Sequence, residues 1–386
     1  MGVLLFYRKM SSLETKSASY EKEGKDFVTL LLKVYTERNK RKGVLMEKMM
    51  KAYGFENPDK KQALPTFEKR DVPIPDISGK ELLVEVKAVG LNPTDLATRM
   101  MKKQDDASFT VLGRDVSGVV VSVGPDVTLF KEGDEVFYPG TTTVQGAQAD
   151  FHKIDERMVS LKPKNLSFAE AAALPLTALT SYEVIHDRLR LFDVAEDPSD
   201  VTLLIVGAAG GVGSIATQLA LNYGFNVIGT ASREESVSHL KKLGVKQVID
   251  HMKPYGEQLK EAGADPIDAV FLAAKSDENI KEAAKVVKPQ GQLCTLLPLS
   301  EPLPMTFFGK SLTISFELMY TRSVYQTADW IKQHEYLTEL KNQVEQGFVQ
   351  TTLTRRFDQL NEQTLTEAYG LLQSEHTIGK IVLEKN

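Results

Sequence analysis

The stretch VTLLIVGAAGGVGSIATQLA, Val201 to Ala220, decides how the chain reads. Thr202 aside, Val201 to Val206 is a short apolar run of the kind found in strands buried on both faces. Ile215, Ala216, Leu219 and Ala220 then recur at helical spacing. Between the two lie Gly207, Gly210, Gly211 and Gly213. Glycine tolerates the tight turn from strand to helix and lets backbone approach a pyrophosphate, whose charge would face the N-terminal amides of the helix. The strict G-x-G-x-x-G spacing would need glycine where Ala208 stands, and glycines also serve close helix–strand packing. The strand before and the helix after favour a dinucleotide site. A short-chain reductase would need a Tyr-x-x-x-Lys pair, which none of the tyrosines provides.

Downstream the alternation continues. NVIGTA, QVID, DAVFLAA and GQLCTLLP read as short strands, with EESVSHLKKLG and DENIKEAAKVV as helices among them. This alternation implies right-handed crossovers and a doubly wound parallel sheet, an α/β fold. Upstream, from Lys51 to about Ser160, ELLVEVKAVGLN, VSGVVVSVG and PDVTLFKEGDEVFYPG read as strands broken by Gly-Asp and Pro-Gly turns, which predicts a small β-barrel. SFAEAAALPLTALTSYEVIHDRL, Ser167 to Leu189, switches to helix, with a Ser167-x-x-Glu170 capping box and an interruption at Pro175. After about Phe316, helices and a closing strand GKIVLE are expected.

With 386 residues, 42% of them hydrophobic and 26% charged, the chain can bury two cores, so two domains are the default. A net charge of -5 argues against a nucleic-acid binder, and the basic cluster ERNKRKG is too local to reverse that. Cys294 is the sole cysteine, which excludes a disulfide framework or a cysteine-rich zinc lobe and suits a reducing cytoplasm. No apolar run reaches the length of a membrane span. MGVLLFYRKM lacks the layout of a signal peptide, and Phe6 stands where a myristoylation motif wants Ser or Thr. Phe27, Leu30, Leu31 and Val34 have helical spacing, but the polar, patternless stretch before them makes residues 1–48 read as a loosely attached extension. KGVLM, Lys42 to Met46, can be encoded by a ribosome-binding sequence ahead of a start codon. A natural start at Met46 is therefore one expectation, which the DNA sequence would decide.

GRDVSGVVVSVG, EAAALPLTALTSYE, AAGGVG and GKIVL stand in the order found in medium-chain dehydrogenases/reductases of the quinone oxidoreductase type, and most of Lys51 to Leu383 resembles that family. FELMYTRSVYQTADW further resembles the subfamily called zinc-type alcohol dehydrogenase-like proteins. The resemblance implies a GroES-like β-barrel catalytic domain from residues 49–178 and 321–386, with a Rossmann domain, 179–320, between its parts. Zinc-dependent relatives hold a catalytic metal with a cysteine in G-x-C-x-x-D and a histidine in G-H-E. Here GLNPTD puts Asn92 in the cysteine's place and GRD puts Arg114 in the histidine's. Amide and guanidinium are not the ligands zinc selects, so no metal is expected.

Without a Lewis acid an unactivated ketone is a difficult hydride acceptor. A quinone or an α,β-unsaturated carbonyl spreads the arriving charge into a conjugated oxygen, so the expected activity is zinc-independent reduction of a small quinone, enone or enal by NADPH. By resemblance, Asn92 and Thr177 lie beside the nicotinamide and the reacting carbonyl; the alternatives are a turn residue before Pro93 and a helix-end cap. Gly207, Ala209, Gly210, Gly211, Val212 and Gly213 are the expected pyrophosphate turn. GTASREES, Gly229 to Ser236, has no acid near Thr230 to accept from the ribose hydroxyls of NAD(H). Ser232 and Arg233 instead donate to a 2′-phosphate, although Ser232 would also serve as N-cap of the following helix. His251 approaches the cofactor ribose by resemblance, with a surface histidine the equal alternative. Tyr53 and Tyr138 read as core or rim tyrosines, and Arg114 with Asp115 as one structural ion pair. The alternatives to this activity are a non-catalytic NADPH-binding sensor and a zinc-dependent alcohol dehydrogenase. Nucleic-acid and membrane partners are not expected, and the resemblance allows a cytoplasmic homodimer paired at the edge of the Rossmann sheet.

Overall fold

The computed structural model describes residues 48–56, 64, 66–103, 105–264, 267–374 and 377–385. The expectations for residues 1–47, including the helix around Phe27 to Val34 and the start at Met46, lie outside the described residues. The first strands are Met49–Phe55 (β1), Glu68–Pro73 (β2), Glu81–Gly90 (β3), Thr110–Val111 (β4), Asp115–Val123 (β5), Glu135–Pro139 (β6), Phe151–Asp155 (β7) and Ser160–Leu161 (β8). A second run holds Thr202–Val206 (β9), Asn226–Thr230 (β10), Gln247–Ile249 (β11), Ile267–Leu272 (β12), Val287–Thr295 (β13) and Thr313–Phe316 (β14). Leu353–Phe357 (β15) and Lys380–Glu384 (β16) close the chain.

The second run forms one parallel sheet of order β11-β10-β9-β12-β13-β14, which winds outward from β9 in both directions. Both faces are covered. Leu203 and Ile205 of β9 pack into one core and Leu204 and Val206 into another, as do Ala269 and Phe271 against Val270 and Leu272 of β12. This double burial is why these strands read as continuous apolar runs rather than as alternations. Each large apolar side chain so placed contributes on the order of 1.5–3 kcal/mol. Periodicity did not reveal β14 and β15. Both are edge strands, and TISF and LTRRF leave most of their side chains exposed or half-buried, so neither carries an apolar pattern.

The remaining strands make a seven-stranded sheet, β15-β16-β3-β5-β6-β8 with β7 on β3, and a three-stranded sheet, β2-β1-β4. This is the GroES-like part of the fold, here as two hydrogen-bonded paths among the described residues. The pairing that matters for the site is antiparallel β16 on β3, which returns the last strand of the chain to one of its first. Between the sheets, the Ser167 hydroxyl accepts from the Glu170 amide at 3.3 Å while the Glu170 carboxylate accepts from the Ser167 amide at 2.8 Å, so the capping box forms. That helix spans only Phe168–Ala171. A second starts at Pro175, runs to Tyr182 entirely buried, and widens into a π-helical turn, Glu183–Arg188, where the sequence predicts a plain continuation.

Candidate active site

β9 ends at Val206, and Gly207 turns the chain with φ +78°, a conformation that L side chains rarely adopt. Its amide donates to Thr230 Oγ1 at 3.1 Å and its carbonyl accepts from the Gly210 amide at 3.1 Å. A Cβ on Gly213 would lie 2.4 Å from Gly207 O and 2.6 Å from Ala208 Cα, so this glycine lets the helix Gly211–Asn222 sit against the strand. Gly210 differs: its φ is -73°, and a Cβ there would meet only Gly207 O, at 3.4 Å. The first i→i−4 bond of the helix runs from the Ser214 amide to Gly210 O at 2.9 Å. The amides of Gly211, Val212 and Gly213 precede it and point toward the helix's positive end, where an anion is stabilised.

Beside this turn opens a cleft of about 330 Å³. Of the residues singled out from the sequence, Gly207, Ala209, Gly210, Thr230, Ser232, Arg233 and His251 line it, and Gly211, Val212 and Gly213 follow Gly210 directly in the chain without lining it. Thr230 is only 1% exposed, and its oxygen is already committed to the Gly207 amide, so it braces the turn. The next helix, Glu234–Lys242, begins one residue later than the sequence predicts. Arg233 is the N-cap, in extended backbone, and its carbonyl accepts from the Val237 amide at 3.0 Å. Ser232 therefore stands outside the cap, because the chain is still extended one residue past it. His251 is half-buried, with no hydrogen-bond partner for Nδ1, and burial holds its pKa below the usual histidine range. Lys275 also lines the cleft and was not found from the sequence. Its only signal is its place after β12, at the carboxyl end of a parallel strand.

A second cluster gathers around Asn92, which is 1% exposed at the start of the helix Pro93–Met101. Asn92 Nδ2 donates to Asp115 Oδ2 at 2.8 Å, and Asn92 Oδ1 accepts from Lys380 Nζ. Lys380 Nζ also donates to Asp115 Oδ2 at 2.7 Å and to Leu91 O at 2.7 Å. Asp115 Oδ1 accepts from the Leu176 amide at 2.7 Å, so the same carboxylate anchors the helix that carries Thr177. The Thr177 hydroxyl donates to Leu174 O at 2.9 Å within the first turn of its own helix, which has no side-chain cap, and its methyl group packs toward Gly211. The two residues expected at the reacting end thus share one buried carboxylate. Arg114 is not part of it: its Nη1 donates to the carbonyls of Thr141 and Val144, which corrects the expected Arg114–Asp115 ion pair. Neighbours in extended chain point to opposite sides, and Asp115 finds Lys380 instead.

The tyrosines also separate. Tyr138 is a buried core residue whose hydroxyl lies 3.2 Å from His152 Nδ1, and Tyr53 is 8% exposed with Lys69 Nζ over its ring. Tyr320, which periodicity gave no reason to notice, shares a hydrogen bond of 3.2 Å with Thr94 Oγ1, two residues from Asn92. Burial pushes its hydroxyl well above the usual phenol range, so it stays a donor. The donor set does not fit zinc. The two ligand positions hold an amide and a guanidinium, the Lys380 ammonium lies against that amide, and cations repel a divalent metal. Among the described residues, no group of three or more His, Cys, Asp or Glu side chains is placed to hold a metal ion.

Residues 78–178 match the family described as alcohol dehydrogenase GroES-like domain, and residues 211–333 the family described as zinc-binding dehydrogenase. A zinc-type alcohol dehydrogenase-like protein of Staphylococcus epidermidis is 38% identical over 338 residues, covering 86% of this chain and 99% of that protein. The crystal structure of a Rhizobium etli protein named for the zinc-dependent alcohol dehydrogenases has a TM-score of 0.83 at 40% identity, covering 88% of this chain and 99% of the other. A chloroplastic NADPH-dependent alkenal/one oxidoreductase of Arabidopsis thaliana is 34% identical over 230 residues, 57% of this chain and 58% of its own length. With near-complete coverage of its bacterial relatives and both parts of the fold accounted for, this chain belongs to the medium-chain dehydrogenase/reductase superfamily of oxidoreductases, together with the zinc-type alcohol dehydrogenase-like proteins.

Proposed function

We propose that the protein reduces a quinone or an α,β-unsaturated carbonyl with NADPH and without zinc. The observation that carries this reading is the Asn92–Asp115–Lys380 cluster: an amide held between buried charges, at the position where zinc-dependent members of the family present a metal ligand. When bound, NADPH supplies the hydride. The glycine turn receives its pyrophosphate on the amides of Gly211, Val212 and Gly213. At the ribose end, Ser232, Arg233 and Lys275 line the cleft and carry donor groups suited to a 2′-phosphate, and none of the described lining residues is a carboxylate. The unpartnered Nδ1 of His251 is suited to a ribose hydroxyl.

At the reacting end, Asn92 has given one Nδ2 hydrogen to Asp115 and keeps the other. That N–H donates to the carbonyl oxygen as negative charge develops there. A single neutral donor suits an acceptor that delocalises its charge, which is why a conjugated carbonyl is favoured over a saturated ketone. The Thr177 hydroxyl, having donated to Leu174 O, still accepts, and so can orient a carboxamide. The name of the Arabidopsis relative, which specifies NADPH and alkenals or enones, supports the same class.

The division into 49–178 with 321–386 and 179–320 remains part of the proposal. It is supported by the segregation of β9–β14 from the other strands. A homodimer through the edge of β14, unpaired among the described residues, is supported by the exposed Phe316 on that strand and Leu318 just after it. A cytoplasmic location rests on the single, buried Cys294. No helix among the described residues is long and apolar enough to cross a membrane.

The test follows NADPH consumption by the purified protein with an ortho-quinone, an enal series and matched saturated ketones. Turnover confined to the conjugated acceptors is expected. Tight NADPH binding without turnover of any of them would leave the sensor reading standing, and zinc-dependent turnover of the saturated ketones would establish an alcohol dehydrogenase.

A further inference from the structure

β16 begins with a lysine ahead of the apolar Ile381, Val382 and Leu383, and that lysine is 4% exposed. A buried ammonium is tolerated only when its hydrogens are matched. Lys380 has three, and three acceptors take them: Leu91 O, Asp115 Oδ2 and Asn92 Oδ1. No donor is left for a substrate or cofactor, so its chemistry is spent on its neighbours. The chief beneficiary is Asn92. With Oδ1 against the ammonium and Nδ2 against the carboxylate, the amide has one permitted orientation, since a flip would set oxygen against carboxylate and NH₂ against ammonium.

The same residue is tied to the cofactor turn. Gly379, immediately before it, pairs with Gly210 and donates its amide to Ala209 O at 3.3 Å. The Lys380 Cδ lies 3.2 Å from where a Gly211 Cβ would stand. One side chain therefore spans from the pyrophosphate turn to the Asn92 amide.

We infer that Lys380 is a positioning residue: it fixes the Asn92 amide as a donor and sets its register against the glycine turn. This rests on the role proposed above for Asn92, and the experiment separates the two. Single-turnover hydride transfer from NADPH to an enal is measured for wild type, Asn92→Ala, Lys380→Met and the double variant, with the NADPH dissociation constant taken by fluorescence. Because Lys380→Met leaves Asp115 buried without its ammonium, Lys380→Met/Asp115→Asn, which removes both charges, is carried in parallel as the variant that keeps the fold.

Asn92→Ala is expected to slow transfer by about a hundredfold. Lys380→Met should slow it comparably, and the double variant should be no slower than Asn92→Ala beyond about twofold, the signature of two residues acting through one contact. NADPH affinity should stay within about twofold throughout, which a general loss of structure would not allow. Multiplied effects in the double variant, or a charge-neutral pair variant with wild-type transfer, would overturn the inference while leaving Asn92 in place. Wild-type transfer in Asn92→Ala would remove the role of Asn92 itself and this inference with it.

Discussion

The glycine turn contains two residues whose replacement by alanine should fail in opposite ways. At Gly213 the new Cβ would stand 2.4 Å from Gly207 O, 2.6 Å from Ala208 Cα and 2.8 Å from Ala208 C. All three are backbone atoms and cannot rotate aside. Ordinary contact begins near 3.4 Å, so the helix Gly211–Asn222 would have to move off β9 by about 1 Å, loosening Ile215 and Leu219 from Leu203 and Ile205. Overpacking of this kind costs about 1–3 kcal/mol, here toward the upper end, and alanine's better helix propensity returns up to about 1 kcal/mol. The net loss of about 2 kcal/mol corresponds to a fall in Tm of roughly 2–3 °C for a chain of this size. At Gly210 the only neighbour is Gly207 O, at 3.4 Å, in a backbone conformation alanine adopts freely. Gly210→Ala should therefore melt within about 1 °C of wild type, since exchanging a glycine N-cap for alanine costs under about 1 kcal/mol. Its methyl group would occupy the cleft wall beside the turn, and NADPH affinity should fall at least about tenfold, a loss of about 1.4 kcal/mol. Melting curves with and without NADPH, together with fluorescence titration, read both quantities. Wild-type melting of Gly213→Ala would refute the packing argument. Undiminished NADPH binding by Gly210→Ala would show that the turn does not cradle the pyrophosphate.

Arg233→Ala should weaken NADPH by about tenfold while leaving NADH nearly unchanged, because a half-exposed charge-assisted contact is screened by salt; an unaltered ratio of the two dissociation constants at one ionic strength would remove Arg233 from phosphate recognition. Purified protein should carry no stoichiometric zinc and keep its activity in a chelator; one zinc per chain, with activity lost on its removal, would reverse the reading of Asn92 and Arg114. Stability should depend on His152, whose pKa is pushed down to about 3 by burial and by Arg114, and whose neutral ring donates from Nε2 to Gln145 O and accepts at Nδ1 from Tyr138. The unfolded chain takes up a proton below about pH 6.5 and the folded one does not, so this site costs about 2 kcal/mol of stability between pH 7 and pH 5. In urea unfolding, His152→Gln should lose that much of the pH dependence, and an unchanged difference between pH 7 and pH 5 would refute the assignment. Asp95 works in the opposite sense: burial raises its carboxyl to about 6, so protonation on acidification favours the folded state.

Sequence alone determined the parallel sheet and the glycine turn, because each is carried by residues within a few positions of one another, whereas the reading of Asn92 and Arg114 in place of zinc ligands came from the family resemblance. An apolar run, a helical period and a glycine cluster are local signals, and local backbone preference is what they report. The edge strands β14 and β15 escaped because an exposed edge imposes no apolar pattern. The N-cap shifted from Ser232 to Arg233 even though serine is the better cap by local preference, because the backbone leaving β10 stays extended one residue further. The reacting cluster was beyond local reading. Lys380 meets Asn92 across 288 residues and Asp115 across 265, and its burial follows from β16 closing onto β3 rather than from anything near it in the chain. Its partner was misread for the same reason. Arg114 is the cation beside Asp115 in sequence, but an extended chain turns neighbouring side chains apart, and the tertiary fold brings a different cation to the carboxylate.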